Sequence, residues 1–312
     1  MIEKTGGFYG IAGKDFSARR AFMAGQILAR HFGQDHDGRI RIVIGKDPRR
    51  SSYMLESALT AGLVSEGADV HLLHVTTSGC VSYITRTEDF TCGVMISGGQ
   101  EPFDTNGICL YDSLGKPIED KALMQRLNVL FCNDEAPLSE ESGAALGQIE
   151  DFYSGRNRYI GYLCSLATRS FYHQRIVLDC ANGSAWVIGR AVFDALDATV
   201  TVIHDRPNGL NINEKCGIAC PSALSDLVVA SRAHAGFAFD GDGTHCTAAD
   251  EKGQLLGKHE IDTILEVYLK DKKRNHPVPD GLMDAVLLTS LMIETQLPLS
   301  DLLLFATNKK EK

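Results

Sequence analysis

The 312-residue sequence predicts an α/β fold with two domains, followed by a short helical segment. Strand-like and helix-like segments alternate along most of the chain, which is the pattern of α/β proteins. In each half, a buried strand ends in a polar, glycine-containing loop, at residues 97–102 and again at 240–244. Loops at the carboxyl ends of strands are where α/β proteins usually carry their chemistry. The shared plan indicates two related domains.

Composition places the chain among ordinary globular proteins. Hydrophobic residues make up 44% of the chain, charged residues 23%, and the formal net charge is −9. An acidic chain of this kind is not attracted in bulk to nucleic acid or to an anionic membrane. The amino terminus has no apolar leader, and no stretch reaches the ~18 apolar residues that span a bilayer. We therefore expect a cytoplasmic protein with reduced cysteines, no nucleic-acid partner and no membrane insertion.

Hydrophobic periodicity defines the elements of the first domain, which we place at residues 1–135. A buried strand leads into a helix whose apolar residues recur at helical spacing, with Gly67 as its stop. A later helix has Ser78 as its candidate N-cap. In chain order, the predicted elements are strand 39–47, helix 51–67, strand 68–75, helix 78–89, strand 91–97 and strand 107–112.

The second domain, predicted at residues 150–257, repeats this alternation. Helical residues from about 149 to 172 lead into it. Residues 174–205 then give a strand, a glycine-containing loop, a helix and a second strand. Its later part gives a helix and then a strand ending at the second polar loop. Beyond it, helices at 258–273 and 281–296 form the helical segment.

The run FAFDGDGTHCTAADEKG, residues 237–253, carries the strongest chemical signal. Asp240 and Asp242 lie two residues apart in a glycine loop after an apolar strand. Carboxylates at this spacing can bind one hard cation. The same spacing is typical of a β-turn whose aspartates bond their own backbone. The spacing leaves both interpretations open.

A basic loop, IGKDPRRSS, is the candidate phosphate site. It places Lys46, Arg49 and Arg50 beside a helix N-terminus, where an anion is stabilised. The alternative is a solvated loop in which Asp47 is the partner of these cations. The residue types favour neither interpretation.

Two further loops have weaker signals. In LDCANGSAW, Asn182 and Gly183 separate a strand from a helix, and a tight helix entry is favoured over anion binding. Cys216 and Cys220 form a C-x3-C pair. A zinc site would need a second pair or histidines at ligand spacing, and the sequence offers neither. We therefore expect both thiols to be unliganded.

Five runs spread over about residues 7–257 accumulate into a family pattern. In chain order they are IGKDPRRSSYMLESALTAGL, GVMISGGQEPFDTNGI, VLDCANGSAW, PNGLNINEKCG and FAFDGDGTHC with DEKG. The chain therefore resembles the phosphohexomutases, and most closely the bacterial phosphoglucosamine mutases. The resemblance implies two mixed-sheet α/β domains of phosphohexomutase type.

The resemblance also implies a mechanism. In the family, a phosphoserine in a T/S-A-S-H-N-P loop exchanges its phosphoryl group with a hexose phosphate. Mg²⁺ is held by that phosphoserine and by three aspartates of a D-G-D-G-D-R loop. A third domain recognises the sugar through a G-E-x-S-G motif, and a fourth binds the substrate phosphate.

The serine loop departs from the family at its reactive positions. Gly99 stands at the phosphoserine position and Gln100 at the histidine position, whereas Pro102 is kept. Cys109 replaces a lysine that is implied to assist proton transfer. Ser97 stands two positions before Gly99, where the family has a serine or threonine, and it is a poor replacement nucleophile.

The metal loop and the carboxyl-terminal part depart as well. Asp240 and Asp242 are kept, but Thr244 replaces the third aspartate and His245 the arginine. No G-E-x-S-G run occurs, so residues 258–305 resemble a helical remnant of the third domain, and we expect no fourth domain. We expect no cofactor, apart from weakly bound Mg²⁺.

These departures predict a phosphoglucosamine-mutase-like pseudoenzyme with a binding, regulatory or assembly role, working through a protein partner or self-association. One alternative is an active phosphosugar mutase. Another is a sugar-phosphate-binding protein that uses Lys46, Arg49 and the Asn182–Gly183 loop, with His245 as a further candidate.

Overall fold

The computed structural model describes residues 2–4, 6–34, 38–132, 142–269 and 277–310. The chain divides into two compact units: unit 1 has residues 1–156 with 208–210, and unit 2 has residues 157–207 with 211–312. Each unit contains one mixed β-sheet with helices packed on it, so the predicted fold class is confirmed. The predicted domain limit at residue 135 lies outside the described residues.

Unit 1 is built on a seven-stranded sheet. In chain order its strands are β1 (Ile2–Lys4), β2 (Gly7–Ile11), β3 (Arg41–Lys46), β4 (Asp69–Val75), β5 (Cys92–Ile96), β6 (Thr105–Tyr111) and β7 (Ile149–Asp151). Their order across the sheet is β1-β2-β6-β5-β3-β4-β7. The four strands from β5 to β7 are parallel, and the others pair antiparallel. β3 and β5 are buried almost throughout, which explains their continuous apolar sequences.

The helices of unit 1 enclose its core. They are α1 (Ala18–Gly33), α2 (Arg50–Val64), α3 (Ser78–Thr87) and α4 (Lys121–Cys132). α1 and α2 pack backbone to backbone, because a Cβ at Gly62 would clash with the carbonyl oxygen of Phe22. Aliphatic side chains of both helices and of β3 and β5 fill the space between helix and sheet.

Parallel pairing places two loops of unit 1 side by side. Lys46 at the end of β3 is paired with Ile96 at the end of β5. The carboxyl ends of parallel strands meet at one edge of a sheet. Residues 47–50 and 97–102 therefore leave the sheet together.

Unit 2 is built on a five-stranded sheet. Its strands are β8 (Arg175–Asp179), β9 (Thr199–Ile203), β10 (Ala235–Phe239), β11 (Cys246–Asp250) and β12 (Leu255–Leu256). Their order is β12-β11-β10-β8-β9. β10, β8 and β9 are parallel, whereas β11 and β12 continue the sheet antiparallel. Asp179, His204 and Asp240 consequently stand at the same edge.

The chain passes from unit 1 to unit 2 within α5 (Tyr153–Ser165). The further helices of unit 2 are α6 (Gly189–Ala195), α7 (Ser222–Ser231), α8 (Lys258–Leu269), α9 (Gly281–Thr295) and α10 (Leu299–Lys310). Asp280 caps α9: its carboxylate accepts the Met283 N–H at 3.1 Å and the hydroxyl proton of buried Tyr159. α9 is mostly buried, which accounts for its apolar sequence.

Three element predictions are wrong in detail. Residues 149–151 form β7, paired with β4, instead of the start of a helix. The N-cap of α3 is Thr77, whose hydroxyl accepts the Cys80 N–H at 3.3 Å, and not Ser78. A third helix, α10, follows α9 after Gln296, whose φ of +57° ends α9 in the left-handed conformation.

The carboxyl-terminal helices are apolar, but none of them alone has the dimensions of a membrane span. Among the described residues, no single helix is long and apolar enough to cross a bilayer. α9 and α10 satisfy length and composition only when taken together, and they are bent by 88° at their junction.

Candidate functional site

The loop after β5 is folded around Ser97. Ser97 is fully buried, and its hydroxyl accepts the backbone N–H of Gly99 at 2.9 Å. Gly99 has a φ of +56°, a conformation that glycine adopts without the Cβ clash of other residues. The serine side chain therefore shapes the turn from inside, and it does not present its hydroxyl to solvent.

A buried ion pair between Arg49 and Asp47 stabilises this loop through hydrogen bonds to its backbone. Both side chains are completely buried. The Asp47 carboxylate accepts the Gly98 N–H at 3.2 Å, and the Arg49 guanidinium donates to the carbonyl oxygens of Gly99, Glu101 and Pro102. Arg49 thus stabilises the backbone of the loop that corresponds to the family's phosphoserine loop.

Lys46, which like Arg49 is a predicted phosphate ligand, is also buried and paired. Its ammonium group bonds the Glu56 carboxylate and lies 4.3 Å from the centre of the Tyr53 ring. The structure therefore places Lys46 and Arg49 inside unit 1, each engaged by a carboxylate. Arg50, which follows them, is the exposed cation of this segment.

The position implied for the assisting lysine is occupied by Cys109, on β6. Its sulfur lies 2.7 Å from the hydroxyl oxygen of Tyr9, on the neighbouring strand β2. A thiol there is shorter than a lysine and carries no ammonium charge. Gln100, at the histidine position, is exposed at the tip of the turn.

In unit 2, the loop after β10 is closed by its own side chains. Asp240 is 1% exposed; one carboxylate oxygen accepts the His245 backbone N–H at 3.0 Å, and the other lies 2.7 Å from His245 Nδ1. Asp242 accepts the hydroxyl proton of Thr244 at 2.6 Å and its backbone N–H at 3.2 Å. The sequence allowed either a metal site or a turn whose aspartates bond the loop itself. The structure has the internally bonded turn.

His245 and Asp240 form a hydrogen-bonded pair, with His245 Nδ1 2.7 Å from a carboxylate oxygen of Asp240. The hydrogen bond to Asp240 raises the pKa of the His245 imidazole above its ordinary value, and this outweighs the burial that lowers it. Beside this carboxylate the His245 imidazole therefore holds its second proton more firmly than an ordinary histidine does.

The donors of this loop do not fit the three-carboxylate magnesium site that the resemblance implies. His245 engages both oxygens of Asp240, and Thr244 engages one oxygen of Asp242. Thr244 offers a neutral hydroxyl where a third carboxylate would stand. Mg²⁺ loses its water reluctantly and requires well-placed anionic oxygens, so this set is poor for it.

The Asn182–Gly183 loop is a tight entry into a short helical turn, Ser184–Val187. The backbone N–H groups of Asn182, Gly183 and Ser184 donate to the carbonyl oxygens of His204, Cys180 and Gly241 at 2.7–2.8 Å. Because these amides are already bonded, the loop does not form an anion cradle.

One cluster was missed by sequence spacing. The ligand atoms of Asp179, His204 and Cys216 lie within 4.8 Å of one another. They come from three separate segments of unit 2, so no local motif shows them. The only sequence signal is that Asp179 and His204 each stand at the carboxyl end of a predicted strand.

Comparison with known proteins places this architecture among sugar-phosphate mutases. Residues 1–133 match the family model of phosphoglucomutase/phosphomannomutase, alpha/beta/alpha domain I. The chain is 44% identical over 271 residues to the phosphoglucosamine mutase of Lachnospira eligens and 42% identical over 282 residues to that of Lachnoclostridium phytofermentans. These alignments cover 86% and 89% of this chain, but the chain spans only 60% and 62% of the two relatives.

A solved structure gives the same result for the fold. The putative phosphomannomutase of Thermus thermophilus superposes with a TM-score of 0.84, at 16% identity, covering 97% of this chain and 82% of that one. A sequence identity this low supports a shared fold but does not indicate shared chemistry.

We predict that Arg49→Met destabilises unit 1 far more than Arg50→Met. Breaking a buried pair leaves Asp47 as an uncompensated buried charge, which costs about 3–5 kcal/mol, whereas an exposed substitution stays within about 0.5 kcal/mol. Urea unfolding followed by circular dichroism measures this. The only tryptophan, Trp186, is in unit 2, and its fluorescence serves as an internal control. Equal destabilisation by the two substitutions would contradict the structural role of Arg49.

We also predict that His245 titrates above the ordinary histidine pKa of about 6.5, and that Asp240→Asn lowers its midpoint. The pKa of His245 is higher in the folded protein than in the unfolded protein. Protonation of His245 therefore stabilises the fold fully at pH values below its unfolded pKa, and this stabilisation is lost as the pH rises through its folded pKa. Imidazole NMR titration measures the midpoints. His234, whose pKa is lowered by burial and by Arg175, should not respond to the Asp240 substitution. An unshifted His245 would contradict the pair.

Proposed function

Because this chain belongs to the phosphohexomutase superfamily, we propose that it is a phosphoglucosamine-mutase-like protein without the phosphoserine mechanism. Its role is binding, regulation or assembly, exerted through a protein partner or a second copy of itself. The observation that carries the proposal is Gly99, which stands where the family has its phosphoserine. Glycine has no hydroxyl that could carry a phosphoryl group.

No neighbouring group replaces the hydroxyl that is missing at Gly99. The Ser97 hydroxyl is buried and bonded to the Gly99 N–H. Cys109 is bonded to Tyr9 and supplies no ammonium group. Catalysis of phosphoryl transfer consists mainly of positioning and charge stabilisation, and both are diminished here.

The metal loop supports the same proposal. With two carboxylates, both engaged within the loop, we propose that Asp240 and Asp242 bind Mg²⁺ only weakly. The electrostatic stabilisation that a tightly held cation gives to a transferring phosphoryl group is then lacking as well.

An active phosphosugar mutase is the second candidate. The 44% identity with a phosphoglucosamine mutase over 271 residues favours it. This candidate requires a phosphoryl acceptor other than residue 99, and therefore a mechanism different from the one the family implies. Phosphorylation of the purified protein separates the two candidates.

The first expected outcome is that neither the natural chain nor Gly99→Ser is phosphorylated by glucose 1,6-bisphosphate, as measured by intact mass. The substitution restores a hydroxyl but neither the lysine at position 109 nor the third carboxylate at 244. The same variant should show no conversion of glucosamine 6-phosphate in a coupled assay.

The Lachnospira eligens relative serves as the positive control and should gain one phosphoryl group under the same conditions. Loss of a nucleophile can cost on the order of 10⁶ in kcat, so turnover by the natural chain within about a hundredfold of this control would overturn the proposal. A phosphorylated natural chain would favour the active-mutase candidate.

The second expected outcome concerns Mg²⁺. If the Kd is about 10 mM or weaker, then Mg²⁺ at about 10 mM stabilises the protein by at most about 0.4 kcal/mol. The corresponding rise in Tm is below about 2 °C. Thr244→Asp combined with His245→Arg restores the loop pattern of the family and should respond more strongly. A natural chain that responds as strongly as this variant would contradict weak binding.

A further inference from the structure

A cluster of three metal-ligating side chains lies in unit 2 outside the family's metal loop. Asp179 is the last residue of β8, His204 follows β9 directly, and Cys216 stands in the loop before α7. One ligand atom from each, taken pairwise, lies within 4.8 Å of the others. Neither the Gly99 loop nor the Asp240 loop uses these residues.

The Asp179 carboxylate is held in a fixed orientation. One oxygen accepts the Ala181 N–H at 2.9 Å, and the other accepts the Gly217 N–H at 3.0 Å. The side chain is completely buried. Each oxygen keeps a second lone pair after these bonds, so the carboxylate can still bind a cation.

His204 approaches this carboxylate without forming a hydrogen bond. Its Nδ1 lies 3.0 Å from an Asp179 oxygen, yet this buried nitrogen has no hydrogen-bond partner among the described residues. His245 and Asp240 show the contrast, because there the same atoms form a bond at 2.7 Å. Two atoms that are close but not directed at each other suit ligands that share a third atom. In a tetrahedral zinc site with bonds of about 2.0–2.3 Å, ligand atoms lie roughly 3.3–3.8 Å apart.

Cys216 is the third metal-ligating side chain of the cluster, and it is buried. A cation between its thiol and the Asp179 carboxylate stabilises the anionic forms of both groups. The Asn182 amide nitrogen lies 3.9 Å from the Cys216 sulfur and can orient it.

The backbone around the cluster is held in an uncommon conformation. Five non-glycine residues here have a φ between +47° and +57°: Ala181, Asn182, His204, Asn213 and Lys215. Such residues cost free energy and tend to gather at functional sites. The cluster is thus formed by segments whose conformation the surrounding structure enforces.

We propose that Asp179, His204 and Cys216 together bind a divalent transition-metal ion, with Zn²⁺ as the best fit. A thiolate and an imidazole favour Zn²⁺ over Mg²⁺, which prefers oxygen ligands alone. Three protein ligands leave a fourth position for water or a small anionic ligand. The His204 side chain is 31% exposed, which gives that position access to solvent.

The experiment is a metal titration of the full-length chain after chelator treatment under reducing conditions. Co²⁺ should bind one equivalent and give a thiolate-to-cobalt charge-transfer band together with the visible bands of four-coordinate cobalt. Zn²⁺ should abolish these bands by displacement, whereas Mg²⁺ should leave them unchanged. Absence of the charge-transfer band, or displacement by Mg²⁺, would overturn the proposal.

Matched variants locate the site. Cys216→Ser should remove the charge-transfer band, and His204→Gln should weaken Co²⁺ binding at least about a hundredfold. Cys220→Ser and His259→Gln, at residues outside the cluster, should bind as the natural chain does. His204 is partly exposed, so its variant tests the site even if the buried Cys216 variant fails to fold. The proposal is wrong if the control variants lose the band, or if His204→Gln binds Co²⁺ normally.

Discussion

Buried aspartates at the carboxyl ends of parallel strands hold the loops of both units in place. Asp47 follows β3 and accepts the backbone N–H of Gly98 in the loop after the neighbouring strand. Asp179 ends β8 and accepts the N–H of Ala181 and, from a more distant loop, that of Gly217. Loop amides that have left the sheet must find other acceptors, and a buried carboxylate satisfies two of them at once.

A buried carboxylate in turn requires a cation or a proton. Asp47 has a permanent cation in Arg49, and Asp240 has the imidazole of His245, whose pKa is raised for that reason. Asp179 differs, since His204 is near it but not bonded to it. Two of these three buried aspartates, Asp47 and Asp240, thus have a bonded side-chain partner, whereas Asp179 has none among the described residues. A metal ion would supply the partner that Asp179 lacks.

The sequence predicted the α/β fold and the principal strands because their apolar periodicity is set by burial in a sheet. β7 was missed because three exposed residues have no such pattern, and only pairing with β4 makes them a strand. Asp240 and Asp242 were recognised from their spacing. The partners that decide their chemistry were not, since hydrogen bonding to His245 and Thr244 depends on loop conformation. The Asp179 cluster combines three segments and has no sequence pattern of its own.

The stability of the Gly99 loop does not depend on a reactive side chain at that position. Arg49 and Asp47 bond backbone atoms of the loop, and Ser97 bonds the backbone N–H of residue 99. None of these contacts involves a side chain at position 99. The phosphoserine could therefore be absent without loss of the turn, and the presence of the family's fold is no evidence for the family's chemistry. The proposed loss of phosphoryl transfer rests instead on the residue types at positions 99, 109 and 244, whose side chains take no part in these contacts.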